Sequence, residues 1–242
     1  MQRVIKNHRS DWSSYGLSEL LAITGAILRR PGEFFDEIRD GIGLTDKIQA
    51  LLITSTIFLA VYGAVLGSGH PLQALSSAIK LPLVFLGSLV ACAPTLYIFD
   101  LLLGSKRSLN QTIAVLLTAV TATAVLLFSF TSITIAFRLM FSDYQFFNLL
   151  NVGFLVITVS VGMLYMVTGL SRSSGAQHRI LNDLFYAGWI ILLLFMISQI
   201  AWSLRPFFYY PGASFVLFAG GGNLFTGIFN AIGEFLGFGI VR

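Results

Sequence analysis

Residues 81–103 read LPLVFLGSLVACAPTLYIFDLLL, and Asp100 is the only charged residue among them. About 20 mostly apolar residues in a helix are enough to cross a hydrocarbon layer about 30 Å thick. A helix on the surface of a soluble domain would need a polar face over this length, and the stretch has only isolated polar residues. It therefore predicts a transmembrane helix.

Composition and four similar stretches extend this prediction to the whole chain. Hydrophobic residues make up 56% of the 242 residues and charged residues 11%, against about 25% charged in a typical soluble domain. The spans must be helical because unpaired backbone amides are costly in lipid. We expect an all-α integral membrane protein with a five-span bundle at 47–204, between a segment at 1–46 and a segment at 205–242. The other four spans are residues 48–67, 112–137, 149–170 and 184–204.

The N-terminal segment is the charged part of the chain. Of the 26 Lys, Arg, Asp and Glu residues, 14 lie among the first 47. Apolar residues recur there at helical spacing around Ile27, and Pro31 can start a second short helix with Phe34 and Phe35 on one face. We expect one or two amphipathic helices. They either lie on the membrane surface or pack beneath the bundle as an elbow.

The Lys and Arg residues predict the orientation of the spans. Eleven lie on the side of the N-terminus and three on the other side, with Arg242 undecided. Loops on the cytoplasmic side carry an excess of Lys and Arg. We expect a cytoplasmic N-terminus. A location in a bacterial inner membrane is what the family resemblance described below implies.

The fifth span ends in the sequence SLRPFFYYPG at residues 203–212, which is followed by a Gly-rich tail. We expect a short interfacial or re-entrant helix near residues 223–239, with a sixth span as the alternative. Aromatic residues are enriched at membrane interfaces, and aromatic and Arg side chains anchor protein contacts. The candidate partner contact comprises Trp202, Phe207, Phe208, Tyr209 and Tyr210.

Ionisable residues at membrane depth are functional candidates by default. Asp100 could be an ion or proton site. Its position near the end of the second span favours the interface instead, or a pair with Lys106 or Arg107. The other candidates are Asp183, which follows an expected helix cap at Asn182, and Arg138 and Arg205, which can extend to the outer interface from the ends of their spans.

Prolines and glycines mark candidate kinks and close contacts. Proline removes a backbone hydrogen bond and bends a helix, and two small residues four apart let helices approach closely. The candidate kinks are Pro82 and Pro94, and the candidate packing glycines are the pairs Gly63 and Gly67, and Gly233 and Gly237.

Signatures of catalysis are missing from the sequence. There is no HExxH, GxxxxGK or GxSxG motif. The three histidines, His8, His70 and His178, lie in three separate predicted loops and cannot share a metal. We expect no enzymatic activity, no metal, no nucleic acid and no cofactor other than bound lipid.

Several ordered features resemble a known family. The sequence RRPGEFFDEI at 29–38 precedes a first span, and KLPLVFLGSLVACAPTLYIFDLLLGSKRSLNQT follows at 80–112. Together they resemble the bacterial relatives of the Yip (Ypt-interacting-protein) family over residues 28–170, and SLRPFFYYPG resembles a closing motif of one bacterial branch. The resemblance implies five spans, a cytoplasmic N-terminus and a non-enzymatic role. Eukaryotic members bind Rab-type GTPases, but no residue of this sequence can be matched to that binding.

These observations lead to one functional hypothesis and one alternative. We expect an accessory or scaffolding subunit of a larger membrane complex, with the lipid bilayer and other membrane subunits as partners. The alternative is the permease subunit of a transporter, partnered by a separate ATPase.

The topology can be tested by labelling single cysteines in a Cys92→Ser background. Residues 104–110 should face the cytoplasm and residues 138–148 the opposite side. Ser105→Cys and Ser142→Cys should therefore react from opposite sides with an impermeant thiol reagent. Labelling of Ser105→Cys from outside intact cells would invert the proposed topology.

Overall fold

The computed structural model describes residues 17–140, 144–173, 179–207 and 216–218. This part of the chain folds into seven α-helices and has no β-strand. Five of them, α3 to α7, are long and apolar enough to cross a membrane, which confirms the all-α class and the number of expected spans within this part. The C-terminal helix expected near 223–239 lies outside the described residues. The helices are α1 (Leu17–Arg29), α2 (Pro31–Arg39), α3 (Leu44–Leu66), α4 (Pro71–Leu102), α5 (Leu109–Met140), α6 (Tyr144–Ser173) and α7 (Arg179–Leu204).

The second span is longer than its apolar run indicated. It begins at Pro71, where proline suits the first helical turn, and the ring nitrogen Nδ1 of His70 accepts a hydrogen bond from the Leu72 amide at 3.3 Å. The helix therefore starts ten residues before position 81. Lys80, expected in a loop outside the membrane, lies inside α4. The helix also continues without interruption through Pro82 and Pro94.

The start of the fifth span also differs from the prediction. α7 begins at Arg179, so that Asn182 and Asp183 lie within the helix and not at its start. The expected cap at Asn182 is therefore wrong, because helix formation extends one turn further towards the N-terminus than the apolar residues do. The side chain of Asp183 lies outside the described residues.

The bundle is arranged around α5, whose most apolar window is 67% buried. α3 and α6 pack closely on α5, α4 packs on α3 and more loosely on α5, and α7 packs on α4. We call the end of the bundle at which α1 and α2 lie the elbow end. It contains the start of α3, α5 and α7 and the end of α4 and α6. The opposite end is called the far end.

The two N-terminal helices pack against the bundle through their apolar faces. Ile27, Phe35 and Ile38 are almost completely buried. Phe35 lies so close to Gly169 of α6 that a Cβ there would come within 2.6 Å of the Phe35 ring. The hydroxyl of Tyr165 in α6 donates to the Ile27 carbonyl at 3.3 Å. Of the two expected arrangements, the described residues therefore show the elbow, with helices of the bundle covering the apolar face.

Two glycines let α3 and α4 approach closely at the far end. A Cβ at Gly63 would lie 2.9 Å from the carbonyl carbon of Ser77, and one at Gly67 would lie 2.5 Å from the carbonyl oxygen of Gln73. Both neighbours are backbone atoms, which cannot move aside as a flexible side chain can. Gly63 and Gly67 thus set the separation of the α3–α4 hairpin.

Gly63→Ala should destabilise the protein in mild detergent by about 1–3 kcal/mol, because the new methyl group would overlap the backbone of α4. Gly87→Ala is the matched control, since a Cβ at Gly87 meets no atom within 4 Å. Alanine favours helix over glycine by about 1 kcal/mol, so the control should be neutral or stabilising. Thermal unfolding of both variants measures the difference, and equal stabilities would contradict the close contact.

Candidate functional site

A buried ionic cluster joins α4 to α7 at the elbow end. The Arg107 guanidinium nitrogen Nη2 lies 2.8 Å from the Asp100 carboxylate oxygen Oδ1, and the Tyr186 hydroxyl donates to the same oxygen at 2.9 Å. Arg107 Nη2 also donates to the Tyr186 hydroxyl oxygen at 2.8 Å. Asp100 is 2% exposed and Arg107 is 4% exposed. We call Asp100, Ser105, Arg107 and Tyr186 the elbow-end polar cluster.

The backbone after α4 brings Arg107 back over the helix end. Gly104 has φ +85°, in the left-handed region that glycine adopts easily. Its amide donates to the Leu101 carbonyl, and the Ser105 amide donates to the Asp100 carbonyl, each at 3.0 Å. This pair of bonds is the Schellman motif that closes many helices. It reverses the chain, so that the side chain of Arg107 meets the carboxylate seven residues earlier.

A capping box fixes the other side of the same loop. The Ser108 amide donates to the Gln111 side-chain oxygen at 2.8 Å, and the Gln111 amide donates to the Ser108 hydroxyl at 3.3 Å. The Gln111 side-chain nitrogen donates in turn to the Arg39 carbonyl at 2.6 Å. The loop that carries Arg107 is thereby attached to α4, α5 and α2 at once.

These contacts confirm one of the alternatives expected for Asp100, the pair with Arg107. The sequence placed it at an interface or paired with a neighbouring cation, and the structure pairs it with Arg107 in the protein interior. Tyr186 was not anticipated, because an apolar helix with one tyrosine gives no sign of which helix the hydroxyl will meet. Ser105 is buried as well, so the exposed Lys106 is the better labelling position for the topology experiment.

A second cluster binds the chain beyond α7 to the far end of α4. Gln73 Nε2 donates to the Pro206 carbonyl at 2.7 Å, and the Ser77 hydroxyl donates to the Phe207 carbonyl at 2.6 Å. Lys80 Nζ donates to the Pro206 carbonyl at 3.2 Å and to the Leu217 carbonyl. We call Gln73, Ser77 and Lys80 with these three carbonyls the far-end polar cluster.

The far-end polar cluster comes from a stripe on one face of α4. Gln73, Ser76, Ser77 and Lys80 recur at the spacing of one helical face, and all four are buried, with Lys80 only 3% exposed. The Nζ of Lys80 also lies 5.2 Å from the centroid of the Phe218 ring. The spacing of these four residues is readable from the sequence, but a helix expected to begin only at residue 81 leaves them out.

Asp100 and Lys80 are separated by the thickness of a hydrocarbon layer. They are twenty residues apart on one helix, which is about 30 Å at 1.5 Å per residue. No charged residue lies between them. The two polar clusters therefore lie near opposite faces of the membrane, and both attach α4 to α7 or to the residues after it.

A third buried polar contact connects α3, α5 and α6 at the far end. The Tyr62 hydroxyl donates to the Asn151 side-chain oxygen at 2.8 Å, and the Thr134 hydroxyl donates to the same oxygen at 3.2 Å. Asn151 Nδ2 donates to the Phe147 carbonyl at 2.7 Å. The side-chain oxygen of Asn151 is thus occupied by contacts with α3 and α5, and its nitrogen by a hydrogen bond within α6.

Of the remaining site candidates, Arg138, Trp202 and Arg205 lie at the far end. The guanidinium carbon of Arg205 lies 3.8 Å from the centroid of the Trp202 ring, and that of Arg138 lies 5.3 Å from the Phe147 ring. Phe207 is half-buried and packs on the bundle core, so part of the expected contact surface is covered by the chain itself. Phe208, Tyr209, Tyr210, Gly233 and Gly237 lie outside the described residues. Within the described residues there is no group of three or more His, Cys, Asp or Glu that could hold a metal ion.

Asp100→Asn should lower the free energy of unfolding by about 3–5 kcal/mol, because the buried Arg107 would lose its counter-charge. Asp36→Asn is the matched control, since Asp36 pairs with Arg172 at 3.8 Å where both side chains are about half exposed. Its cost should stay below about 1 kcal/mol.

Unfolding of the purified variants in mild detergent provides the measurement. The double variant Asp100→Asn with Arg107→Gln removes both charges together and should recover much of the loss. If Asp100→Asn costs no more than Asp36→Asn, the elbow-end polar cluster does not hold the helices together.

Comparison of this chain with protein-family models, curated proteins and solved structures finds no match. The resemblance to the Yip family over residues 28–170 therefore stays a prediction from the sequence. What the described residues establish is a helical architecture with five candidate membrane spans and two buried polar clusters on α4.

Proposed function

We propose that this chain is a non-enzymatic accessory or scaffolding subunit that contacts another membrane protein along α7. The supporting observation is the exposure of this helix. Only 17% of this span is buried, against 22% for α6, 44% for α3, 50% for α4 and 67% for α5. α7 and α6 are thus the two least buried spans, and part of the surface of α7 is open to lipid or to a partner helix.

The attachment of α7 supports this role. Its polar contacts to α4 include Tyr186 in the elbow-end polar cluster and the Trp189 ring nitrogen, which donates to the Cys92 carbonyl at 3.3 Å. Transmembrane helices associate by close packing and interhelical hydrogen bonds. The contacts with α4 fix the position of α7, so its exposed residues can contact a partner without rearrangement.

The residues after α7 form a second exposed apolar surface at the far end, next to Lys80 of α4. Val216, Leu217 and Phe218 are about half exposed. Lys80 holds the Leu217 carbonyl, which fixes this apolar triplet against the bundle. An exposed apolar patch that is held in place is typical of a contact surface for lipid or protein.

The distribution of Lys and Arg supports a cytoplasmic elbow end, and we propose a bacterial inner membrane as the location. Among the described residues eight Lys and Arg belong to the elbow end and three to the far end. Loops with an excess of these residues remain on the cytoplasmic side. The eight are Arg29, Arg30, Arg39, Lys47, Lys106, Arg107, Arg172 and Arg179, and the three are Lys80, Arg138 and Arg205.

A photoreactive amino acid at Ile191 tests the contact along α7. Ile191 is 68% exposed, and Leu164 of α6 is a matched position with 66% exposure. Irradiation of membranes should link position 191 to one discrete membrane protein, whereas position 164 should react mainly with lipid.

The far-end triplet supplies the second arm of the same experiment. Val216→Ser with Leu217→Ser should weaken the link from position 191, because the partner loses its apolar contact at the far end. Leu139→Ser with Met140→Ser changes an exposed apolar pair at the end of α5 and should leave the link unchanged. If position 191 links only to lipid in wild-type membranes, the scaffold proposal is wrong.

A further inference from the structure

An apolar cleft opens between α3, α4 and α5. It has a volume of about 350 Å³, more than twice the roughly 150 Å³ of a cavity that holds benzene. Leu52 of α3, Val90 and Ala93 of α4, and Leu109 and Leu117 of α5 line it. Val90 is 71% exposed, so the cleft is open to the outside of the bundle.

The cleft runs along the membrane normal from one interface inward. Its α5 wall extends from Leu109, the first residue of that helix, to Leu117, which is about 12 Å at 1.5 Å per residue. Half of a hydrocarbon layer is about 15 Å thick. The cleft therefore has the direction and nearly the depth of one membrane leaflet, and it begins at the elbow end, where headgroups would lie.

Water is a poor occupant of this space. The named lining residues are all aliphatic and offer a water molecule no hydrogen-bonding side chain. An empty cleft would lose the dispersion contacts of its lining atoms. A flexible hydrocarbon chain restores those contacts and needs no polar partner.

Lys106 places a cation near the opening of the cleft. It is exposed and has no hydrogen-bond or ion-pair partner among the described residues, and it lies three residues before Leu109. The neighbouring cations are already matched, since Arg107 binds Asp100 and Lys47 binds Glu37 at 2.6 Å. Asp46 on α3, two residues before Ile48 of the lining, supplies a carboxylate at the same end, so the opening carries one charge of each sign, and Lys106 is the cation that can pair with a phosphate.

We infer that the cleft binds one acyl chain of a phospholipid, whose phosphate pairs with Lys106. The acyl chain and the phosphate of the ligand are each inferred from a separate observation. The aliphatic cleft selects the hydrocarbon chain, and the ammonium group of Lys106 selects the phosphate. The site lies on α3, α4 and α5, apart from the α7 surface proposed to contact a partner protein.

A phospholipid probe with a photoreactive group on its acyl chain tests the site in vesicles of phosphatidylethanolamine and phosphatidylglycerol. Peptides containing residues 48–52, 86–94 and 109–117 should carry the cross-link. Ala93→Phe fills the cleft and should reduce this labelling to the level of the surrounding bilayer background, because the ring takes the space of the acyl chain. Ile98→Phe changes an exposed position of α4 outside the cleft and should leave the labelling unchanged.

The headgroup has its own controls. Lys106→Gln should reduce labelling about fivefold, the factor that corresponds to one basic residue near an anionic surface, whereas Lys106→Arg should keep it. A diacylglycerol probe lacks the phosphate. Its labelling should be about fivefold weaker than that of the phospholipid and insensitive to Lys106→Gln.

Two results would overturn the inference. The first is labelling of the three peptides that persists in a folded Ala93→Phe protein. The second is phospholipid labelling that is unchanged in Lys106→Gln. If Ala93→Phe does not fold, Leu52→Trp at the half-exposed opening of the cleft replaces it, and labelling that persists in that variant overturns the inference equally.

Discussion

The carboxylate of Asp100 accepts hydrogen bonds from the Arg107 guanidinium and the Tyr186 hydroxyl, and the placement of α7 depends on this contact. In a hydrocarbon layer a polar group without a partner is expensive, and water cannot substitute for a missing one. The buried carboxylate and guanidinium therefore each depend on the other as a partner. α7 contributes the hydroxyl that completes this cluster, and its own apolar burial is the smallest of the five spans.

The same constraint governs the far end of α4. Lys80 is buried and its ammonium group binds backbone carbonyls from the segment after α7. Since Lys80 and Asp100 are about 30 Å apart along α4, one helix carries a polar attachment near each face of the membrane. The middle of α4 is left to apolar packing. This division leaves room for a cleft on one side of the bundle and for an open helical surface on the other.

The number and type of helices followed from the sequence because each span is a long apolar run, and only helices satisfy their own backbone in lipid. The ends were harder to predict. α4 begins at Pro71, and its first turns contain the polar residues Gln73, Ser77 and Lys80, whose side chains face the protein. Because these residues lower the hydropathy, the sequence placed the start of the helix too late. Contacts between residues far apart in the sequence could not be predicted either. Arg107 was a candidate for Asp100 by proximity in sequence, whereas Tyr186 is 86 residues away from it, and no pattern in either helix pairs them.

The contacts of Lys80 and of the elbow have a consequence for biogenesis. Lys80 binds a carbonyl 137 residues later in the chain, and the Ile27 carbonyl binds a hydroxyl 138 residues later. During synthesis the first spans enter the membrane well before either partner has left the ribosome. A nascent chain that ends before α7 would expose an unmatched ammonium group among its apolar helices. Such an intermediate differs from the finished protein in a way that membrane chaperones and proteases can detect, so the residues after α7 distinguish the folded protein from its intermediates.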